Sequence, residues 1–304
     1  MELSIIIVGW NVADLLSACL ESILAHPPQA EYEIWVVDNA SSDDTVKRVR
    51  GQFPQVKLIA NAQNTGFAAA NNQAIELSQG KSILLLNPDT IVYERTLQSM
   101  LDFLESHPQA GAVGSIYFSP DGNLQKSCMP FPTVSRELWR LFHLDVLWSY
   151  GLYDMARWSR TEPREVETLQ GASLMLRRSA LMQAGLLDTD YFMYTEEVDL
   201  CYRLYKLGWK LYWLPESKIT HYGGQSTRQV ATRMFLNLYG SKILFFRKHY
   251  GEKKVRQYKR VLDFSSKIRL GILPVAAVLR PGQCEKYNEI HSNYAQLIKA
   301  LPTL

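Results

Sequence analysis

The sequence predicts an α/β protein with a mostly parallel central sheet, helices on both faces and a C-terminal helical appendage. Three observations predict it. Over the first hundred residues, short apolar runs alternate with segments of helical spacing, the rhythm of βαβ units. The apolar runs are near-continuous, as expected of strands covered on both faces. Charge is divided unevenly. Residues 228–304 carry 15 Lys/Arg against 4 Asp/Glu, a net +11, which leaves −8 for residues 1–227. This suggests a body over 1–227 and a basic helical region over 228–304.

The elements follow in order. "LSIIIV" (3–8) reads as a buried strand. Leu15, Leu16, Cys19, Leu20, Ile23 and Leu24 lie at helical spacing and predict a helix over 12–25, stopped by Pro27-Pro28. "EIWVV" (33–37) is a second strand, and the Asp/Ser-rich turn 38–44 can cap a helix over 44–52. A short strand (56–60), a small-residue helix (66–78), a strand (82–86) and a helix (94–106) complete the regular half. Beyond it, 111–118 reads as a strand, 167–178 as a strand interrupted by Gly171, 197–208 as an amphipathic helix and 210–215 as a strand. Residues 231–250 and 284–301 read as helices, while 119–165 shows no clear period.

Several classes are excluded by what is missing. The four cysteines are far apart with no CxxC pair, against a zinc cage or disulfide framework and in keeping with a reducing cytosol. The chain has no basic leader before its first strand and no run of about 18 uncharged apolar residues. Neither GxGxxG, GxxxxGK[ST] nor GxSxG occurs, against dinucleotide, P-loop and nucleophile-elbow chemistry.

Ligands of doubly wound sheets sit beyond the carboxyl ends of the strands. Three strands here end in polar groups: Trp10-Asn11, Asp38-Asn39 and Asn87-Pro88-Asp89. Asp89 alone reads as well as a turn or capping aspartate. Its company raises a second reading, since His221 follows another apolar run, "SKITHYGG" (217–224). A carboxylate and an imidazole suit a divalent cation, provided a substrate brings phosphates. Glu196, Glu197 and Asp199 place three carboxylates within four residues, at the start of a helix where the macrodipole favours them. Mutual repulsion in such a cluster raises at least one pKa and suits a general base. Asp199 stands four residues before Arg203, the spacing of an ion pair, which leaves Glu196 and Glu197 for chemistry.

Seven segments in order carry a resemblance to known enzymes: "SIIIVGWN", "VVDNASSDDT", "NTGFAAANNQAI", "LLLNPDT", "LQGASLMLRRSAL", "YTEEVDLCYRLYKLGW" and "THYGGQST". Together, over roughly 3–227, they resemble the family 2 glycosyltransferases of GT-A fold, most of all the rhamnosyltransferase-like branch. The resemblance implies an inverting, metal-dependent enzyme. It would move a sugar from a nucleoside-diphosphate donor, dTDP-rhamnose or a UDP-sugar, to a saccharide or lipid-linked acceptor. Cell-surface polysaccharide or glycolipid assembly is the implied setting. It further implies that Trp10, Asp38, Asn39, Gly66 and Asn71 serve the nucleotide. Asp89 and His221 would hold Mg2+ or Mn2+, Glu197 or Glu196 would be the base, and Gly171 would open the acceptor side. Two residues depart from the family pattern. Asn87 stands where many relatives carry a second acid, and the acidic pair is Glu-Glu instead of Glu-Asp. The first departure leaves a catalytically weak nucleotide-sugar-binding protein as the alternative. The basic, aromatic-rich 231–304 region suits either a solvated helical face or peripheral contact with an anionic membrane, at the inner face of the plasma membrane. Nothing in it resembles a base-reading nucleic-acid module.

Overall fold

The computed structural model describes residues 1–224, 230–279 and 281–304. The expected boundary after residue 227 and the last three residues of "THYGGQST" lie outside the described residues. The chain divides into two compact units. Unit 1 comprises Met1–Phe131, Asp154–Phe192 and Glu196–Gln229, and unit 2 comprises Pro132–Tyr153, Met193–Thr195 and Val230–Leu304. Unit 2 thus draws on a mid-chain segment as well as on the C-terminal region.

Unit 1 opens with β1 (Leu3–Gly9), α1 (Ala13–Ala25), β2 (Tyr32–Asp38), α2 (Thr45–Gln52), β3 (Lys57–Ala60), α3 (Phe67–Leu77) and β4 (Ser82–Leu86). It continues with β5 (Thr90–Val92), α4 (Thr96–Ser106), β6 (Ala110–Phe118), β7 (Leu124–Gln125) and β8 (Cys128–Met129). After α5 (Val134–Leu141) of unit 2 come β9 (Arg164–Glu165), β10 (Thr168–Leu169), β11 (Ser173–Arg177), α6 (Arg178–Ala184), α7 (Glu196–Lys206) and β12 (Lys210–His221). The main path of the sheet runs β3-β2-β1-β4-β11-β6-β12-β5. Its first four strands are parallel, as the alternating pattern predicts. The second half is mixed: β11 runs antiparallel to both β4 and β6, β12 runs parallel to β6, and β5 antiparallel to β12.

Every residue of β1 is buried, because α1 covers one face of the sheet and α3 contacts the strand as well. Leu3, Ile5 and Ile7 pack with Leu16, Leu20 and Ile23 of α1 and with Leu84 and Leu86 of β4 in one cluster. Burying such side chains is the main stabilising term, roughly 1.5–3 kcal/mol each. The run expected to be one strand interrupted by Gly171 is two strands: Thr168–Leu169 pairs with β8, and Ser173–Arg177 joins the main sheet. The separate runs at 210–215 and from 217 form one strand, whose register shifts between Leu214 and Lys218 around Pro215, which has no N–H to give the ladder.

Unit 2 is helical, with α5, α8 (Ala231–Leu279) and α9 (Cys284–Ala300). Gly251, at φ +77°, breaks α8 in two. Tyr239, Ile243, Phe246, Tyr258, Leu262 and Leu297 form its core. Within this core Glu137 is buried, yet it accepts from Lys242 Nζ (2.8 Å), Arg140 (2.9 Å) and Tyr258 (3.3 Å). Burial raises its pKa, but Lys242 and Arg140 more than offset this and keep it ionised. No helix among the described residues is long and apolar enough to cross a membrane.

Candidate active site

Parallel pairing aligns the carboxyl ends of β2, β1 and β4: Gly9 is opposite Asp38, and Ile7 is opposite Leu86. Trp10 and Asn11, Asp38 and Asn39, and Asn87 to Asp89 therefore emerge at one edge of the sheet. Two loops of this edge are tied together. Asn11 N donates to Ser41 Oγ (2.9 Å), and Ser42 N donates to Asn11 Oδ1 (2.7 Å). Asp43, which sequence reasoning treated only as part of a turn, caps two helices. Its Oδ1 accepts from Thr45 N (3.1 Å), and its Oδ2 accepts from Ala13 N at the start of α1 (3.2 Å).

Asp38 is buried at 2% exposure. Its Oδ2 accepts from Ser41 N (3.1 Å), while Oδ1 is buried with no hydrogen-bond partner. Such an oxygen is costly unless a ligand brings it an N–H or O–H. Asn39 turns inward instead: its amide donates to Asn64 Oδ1 (2.9 Å) and the Gly66 carbonyl (3.2 Å) and its Oδ1 accepts from Thr65 N (3.0 Å). It shapes the loop that leads into α3. Gly66 sits at φ +86°, and a Cβ there would meet the Phe192 carbonyl oxygen at 2.6 Å. Only glycine fits that close approach. Asn71 is buried in α3 and donates back to the Phe67 carbonyl (2.9 Å). Its neighbour Asn72, with no role foreseen, exchanges two hydrogen bonds with the Leu187 backbone (2.7 and 3.1 Å).

Asp89 and His221 do meet, although 132 positions separate them in the chain. Thr90 of β5 pairs with His221 of β12, and Tyr222 N donates to the Asp89 carbonyl (2.9 Å). His221 Nε2 stands 3.5 Å from Asp89 Oδ1, and both side chains are largely buried. Gln125 of β7 fixes the ring. Its Nε2 donates to the His221 carbonyl (2.7 Å), which points its Oε1 at His221 Nδ1 (3.2 Å). An amide oxygen only accepts, so Nδ1 carries a proton, and in the neutral ring the Nε2 lone pair faces Asp89. Two electron-rich atoms facing each other invite a proton or a cation. Two ligands each roughly 2.1 Å from a common ion can lie up to about 4.2 Å apart, so the 3.5 Å gap fits a small divalent ion. No group of three or more His, Cys, Asp or Glu able to hold a metal occurs among the described residues. Any ion here would therefore need further ligands from a substrate or from water. Tyr117, whose ring meets that of His221 edge-on at 5.7 Å, is anchored by Ser173 N (2.8 Å) and the Gln170 carbonyl (2.7 Å). Neither Gln125 nor Tyr117 was foreseen, because they lie in or beside segments with no readable period.

The acidic cluster opens α7. Just before it the backbone passes through the left-handed region at Tyr194 (φ +71°) and Thr195 (φ +73°), a strained entry of the kind that gathers at functional sites. Asp199 bonds Arg203 Nε (2.7 Å) and the Tyr191 hydroxyl (3.3 Å), the ion pair expected from the spacing. Glu196 is buried, and that burial, then the neighbouring Glu197, pushes its carboxyl well above the usual range. Glu197 is only half-buried and lies beside Gly171, where an added Cβ would stand 3.8 Å from the Glu197 Cβ. The two glutamates thus occupy different environments, which separates residues that adjacent positions in a sequence do not.

Residues 4–183 match the family described as Glycosyl transferase family 2. An N-acetylglucosaminyl-diphospho-decaprenol L-rhamnosyltransferase of Mycobacterium tuberculosis is 29% identical over 264 residues, covering 82% of this chain and 85% of that relative. The rhamnosyltransferase WbbL of Escherichia coli is 26% identical over 239 residues, covering 76% and 87%. Among solved structures, the mannosyltransferase PcManGT from Pyrobaculum calidifontis, in complex with GDP-Man and Mn2+, aligns with a TM-score of 0.59 at 18% identity. It covers 98% of this chain and 85% of that one. S. aureus TarS aligns with a TM-score of 0.54 at 13% identity, covering 100% and 92%. These structural likenesses establish the GT-A fold.

Proposed function

The chain belongs to glycosyl transferase family 2, and from that premise we propose an inverting, metal-dependent sugar transfer at the carboxyl edge of the sheet. The donor is a nucleoside-diphosphate sugar, dTDP-rhamnose or a UDP-sugar. The acceptor is a hydroxyl of a saccharide or lipid-linked glycan in cell-surface polysaccharide or glycolipid assembly. The observation that carries this reading is Asp38: a buried carboxylate whose Oδ1 has no partner, at the edge where ligands of such sheets bind. The N3–H of uracil or thymine is the donor that oxygen lacks. The names of two relatives, both rhamnosyltransferases and one acting on a diphospho-decaprenol, support the rhamnose and lipid-linked choices.

Each residue then has a task. Trp10, directly after β1, flanks the base, and Asn39 and Gly66 shape the loop beside the nucleotide together with Asn71. Asp89 and His221 hold Mg2+ or Mn2+, which when bound supplies Lewis-acid stabilisation of the leaving diphosphate. Glu197 accepts the proton of the acceptor hydroxyl as that oxygen bonds to the anomeric carbon. The bond from that carbon to the β-phosphate oxygen breaks on the opposite face, giving inversion and a free nucleoside diphosphate. The raised pKa of Glu196 disfavours its charged form, which supports Glu197 as the base. Gly171 keeps the acceptor side open next to Glu197. Residues 1–227 form the transferase domain, and the basic 228–304 region gives peripheral contact, through 231–304, with anionic lipid at the cytoplasmic face of the membrane. Nucleic acid has no place in this reading.

Asn87 favours a second reading, a nucleotide-sugar-binding protein of weak activity, because it withholds a second carboxylate from the ion. Donor turnover with and without Mn2+ separates the two. The enzyme reading fails if the wild type binds nucleotide yet turns over neither dTDP-rhamnose nor any UDP-sugar.

A further inference from the structure

Exposed large apolar side chains are concentrated in unit 2. Of the sixteen among the described residues, ten belong to this unit, which is about a third of the chain. Scattered single apolar residues need no explanation, but a contiguous set rimmed by charge marks an interaction surface.

Two elements build the set. The first is a tip following α5. Val146, Leu147 and Trp148 are 88%, 80% and 72% exposed. They are not exposed through looseness. Asp145 Oδ1 accepts from the backbone N–H of Tyr150 (3.2 Å), Gly151 (2.8 Å) and Leu152 (3.1 Å), and Trp139 Nε1 donates to the Trp148 carbonyl (2.8 Å). The backbone's polar groups are spent inward, and the apolar side chains are held out. The second element is the far half of α8. Arg256, Arg260, Phe264, Ile268 and Ile272 follow each other at i, i+4 and are all exposed; each is turned about 40° from the last, so they form a stripe that winds over about 160° of the helix surface. Its first two members are cations and its last three are apolar. The elements are neighbours. Phe142 meets Phe264 ring to ring at 6.0 Å, Arg269 donates to the Leu141 carbonyl, and the tip begins within a few residues.

We propose that unit 2 docks on an anionic bilayer through this face, with Val146, Leu147, Trp148, Phe264, Ile268 and Ile272 entering the interface and Arg256 and Arg260 meeting lipid phosphates. This rests on the membrane contact in the reading above and assigns it residues, three of the eight outside the basic C-terminal region. Charge selects the occupant. A second copy would bring the same arginines toward each other around a two-fold axis, whereas an anionic leaflet neutralises them. Arg260 stands one helical turn, about 6 Å, before Phe264, within the roughly 5–10 Å to which interfacial helices sink. A tryptophan at the tip suits the headgroup layer, where its ring is buried and its N–H stays wet.

The test is flotation of the full chain with phosphatidylglycerol–phosphatidylcholine vesicles and with phosphatidylcholine vesicles alone. Wild type is expected on the anionic vesicles and to be released by salt. Leu147→Glu with Trp148→Glu, and separately Arg256→Glu with Arg260→Glu, are each expected to lower the bound fraction about tenfold or more at unchanged circular dichroism and Tm. Wild-type binding that both variants retain overturns the assigned face while leaving membrane contact standing. Absence of wild-type binding to either vesicle overturns both. A variant that splits a wild-type dimer by light scattering, yet still floats, makes the face a self-association surface and overturns the proposal.

Discussion

Replacing Gln125 with methionine tests the metal reading through a residue that would touch neither ion nor substrate. The side chain makes two hydrogen bonds, 2.7 Å to the His221 carbonyl and 3.2 Å to its Nδ1. At about 1 kcal/mol each, their loss removes about 2 kcal/mol from the arrangement that keeps Nε2 turned toward Asp89. That equals about thirty-fold in affinity and falls inside the 10–100-fold cost usual for a group that orients a metal-binding histidine. The assay is Mn2+ affinity at saturating nucleoside diphosphate, read by the electron paramagnetic resonance of free Mn2+, with Tm and metal-free nucleotide affinity as controls. Gln125→Met is expected to weaken Mn2+ about thirty-fold, to leave metal-free nucleotide affinity near wild type and to lower Tm by only several degrees. Gln125→Glu keeps an acceptor for Nδ1–H but loses the donor to the carbonyl, so it should fall between. Mn2+ affinity within twofold of wild type in a folded Gln125→Met protein would refute the orienting role.

Three further outcomes follow from the site and its frame. Glu197→Gln should lower turnover by about 10²–10⁴ with donor binding intact, whereas Glu196→Gln, at a buried carboxyl whose pKa is raised, should cost far less; equal losses would contradict the assignment. Asp38→Asn should weaken UDP and TDP at least tenfold while sparing binding of inorganic diphosphate, as calorimetry can show. Glu33 is buried, and although burial raises its pKa, Lys57 (2.7 Å), Gln79 N (2.7 Å) and Ser4 (2.7 Å) bring it down to about 2 from 4.5. Because the folded value is the lower one, this stabilisation is complete above about pH 4.5 and is lost as pH falls toward 2. It amounts to about 3 kcal/mol. Urea denaturation across that window should show the loss in wild type and a flatter profile in Glu33→Gln.

Legibility followed periodicity. The parallel half was readable because Ile5, Ile6 and Ile7 or Leu84, Leu85 and Leu86 have no polar face to show, which only a strand covered on both sides tolerates. The antiparallel insertion of β11 between β4 and β6 was not readable. Strand order and direction are decided by tertiary pairing, and nothing within "SLMLR" encodes its partners. The same holds for 119–165. Its two-residue strands β7, β8 and β9 are too short to carry a period, and Asp145 reveals its clamp only once three backbone N–H groups converge on it.

The site divides along the same line. Asp38 and Asp89 could be placed from sequence because the end of a buried parallel strand fixes where its next residue goes. Asn39 shows the limit of that rule. It leaves β2 at the same edge, yet spends its amide on the loop 61–66 because the loop's own backbone groups need partners there. The glutamate pair shows a second limit. Glu196 and Glu197 are equivalent in the sequence, but consecutive helix positions point about 100° apart, so the first residue is buried and the second only partly so, although each has one carboxyl oxygen shielded from solvent. Burial and then the neighbouring Glu197 raise the pKa of the first. An acidic doublet at the start of a helix thus offers two carboxyls in different settings, and the turn of the helix, not the residue type, decides which setting each takes.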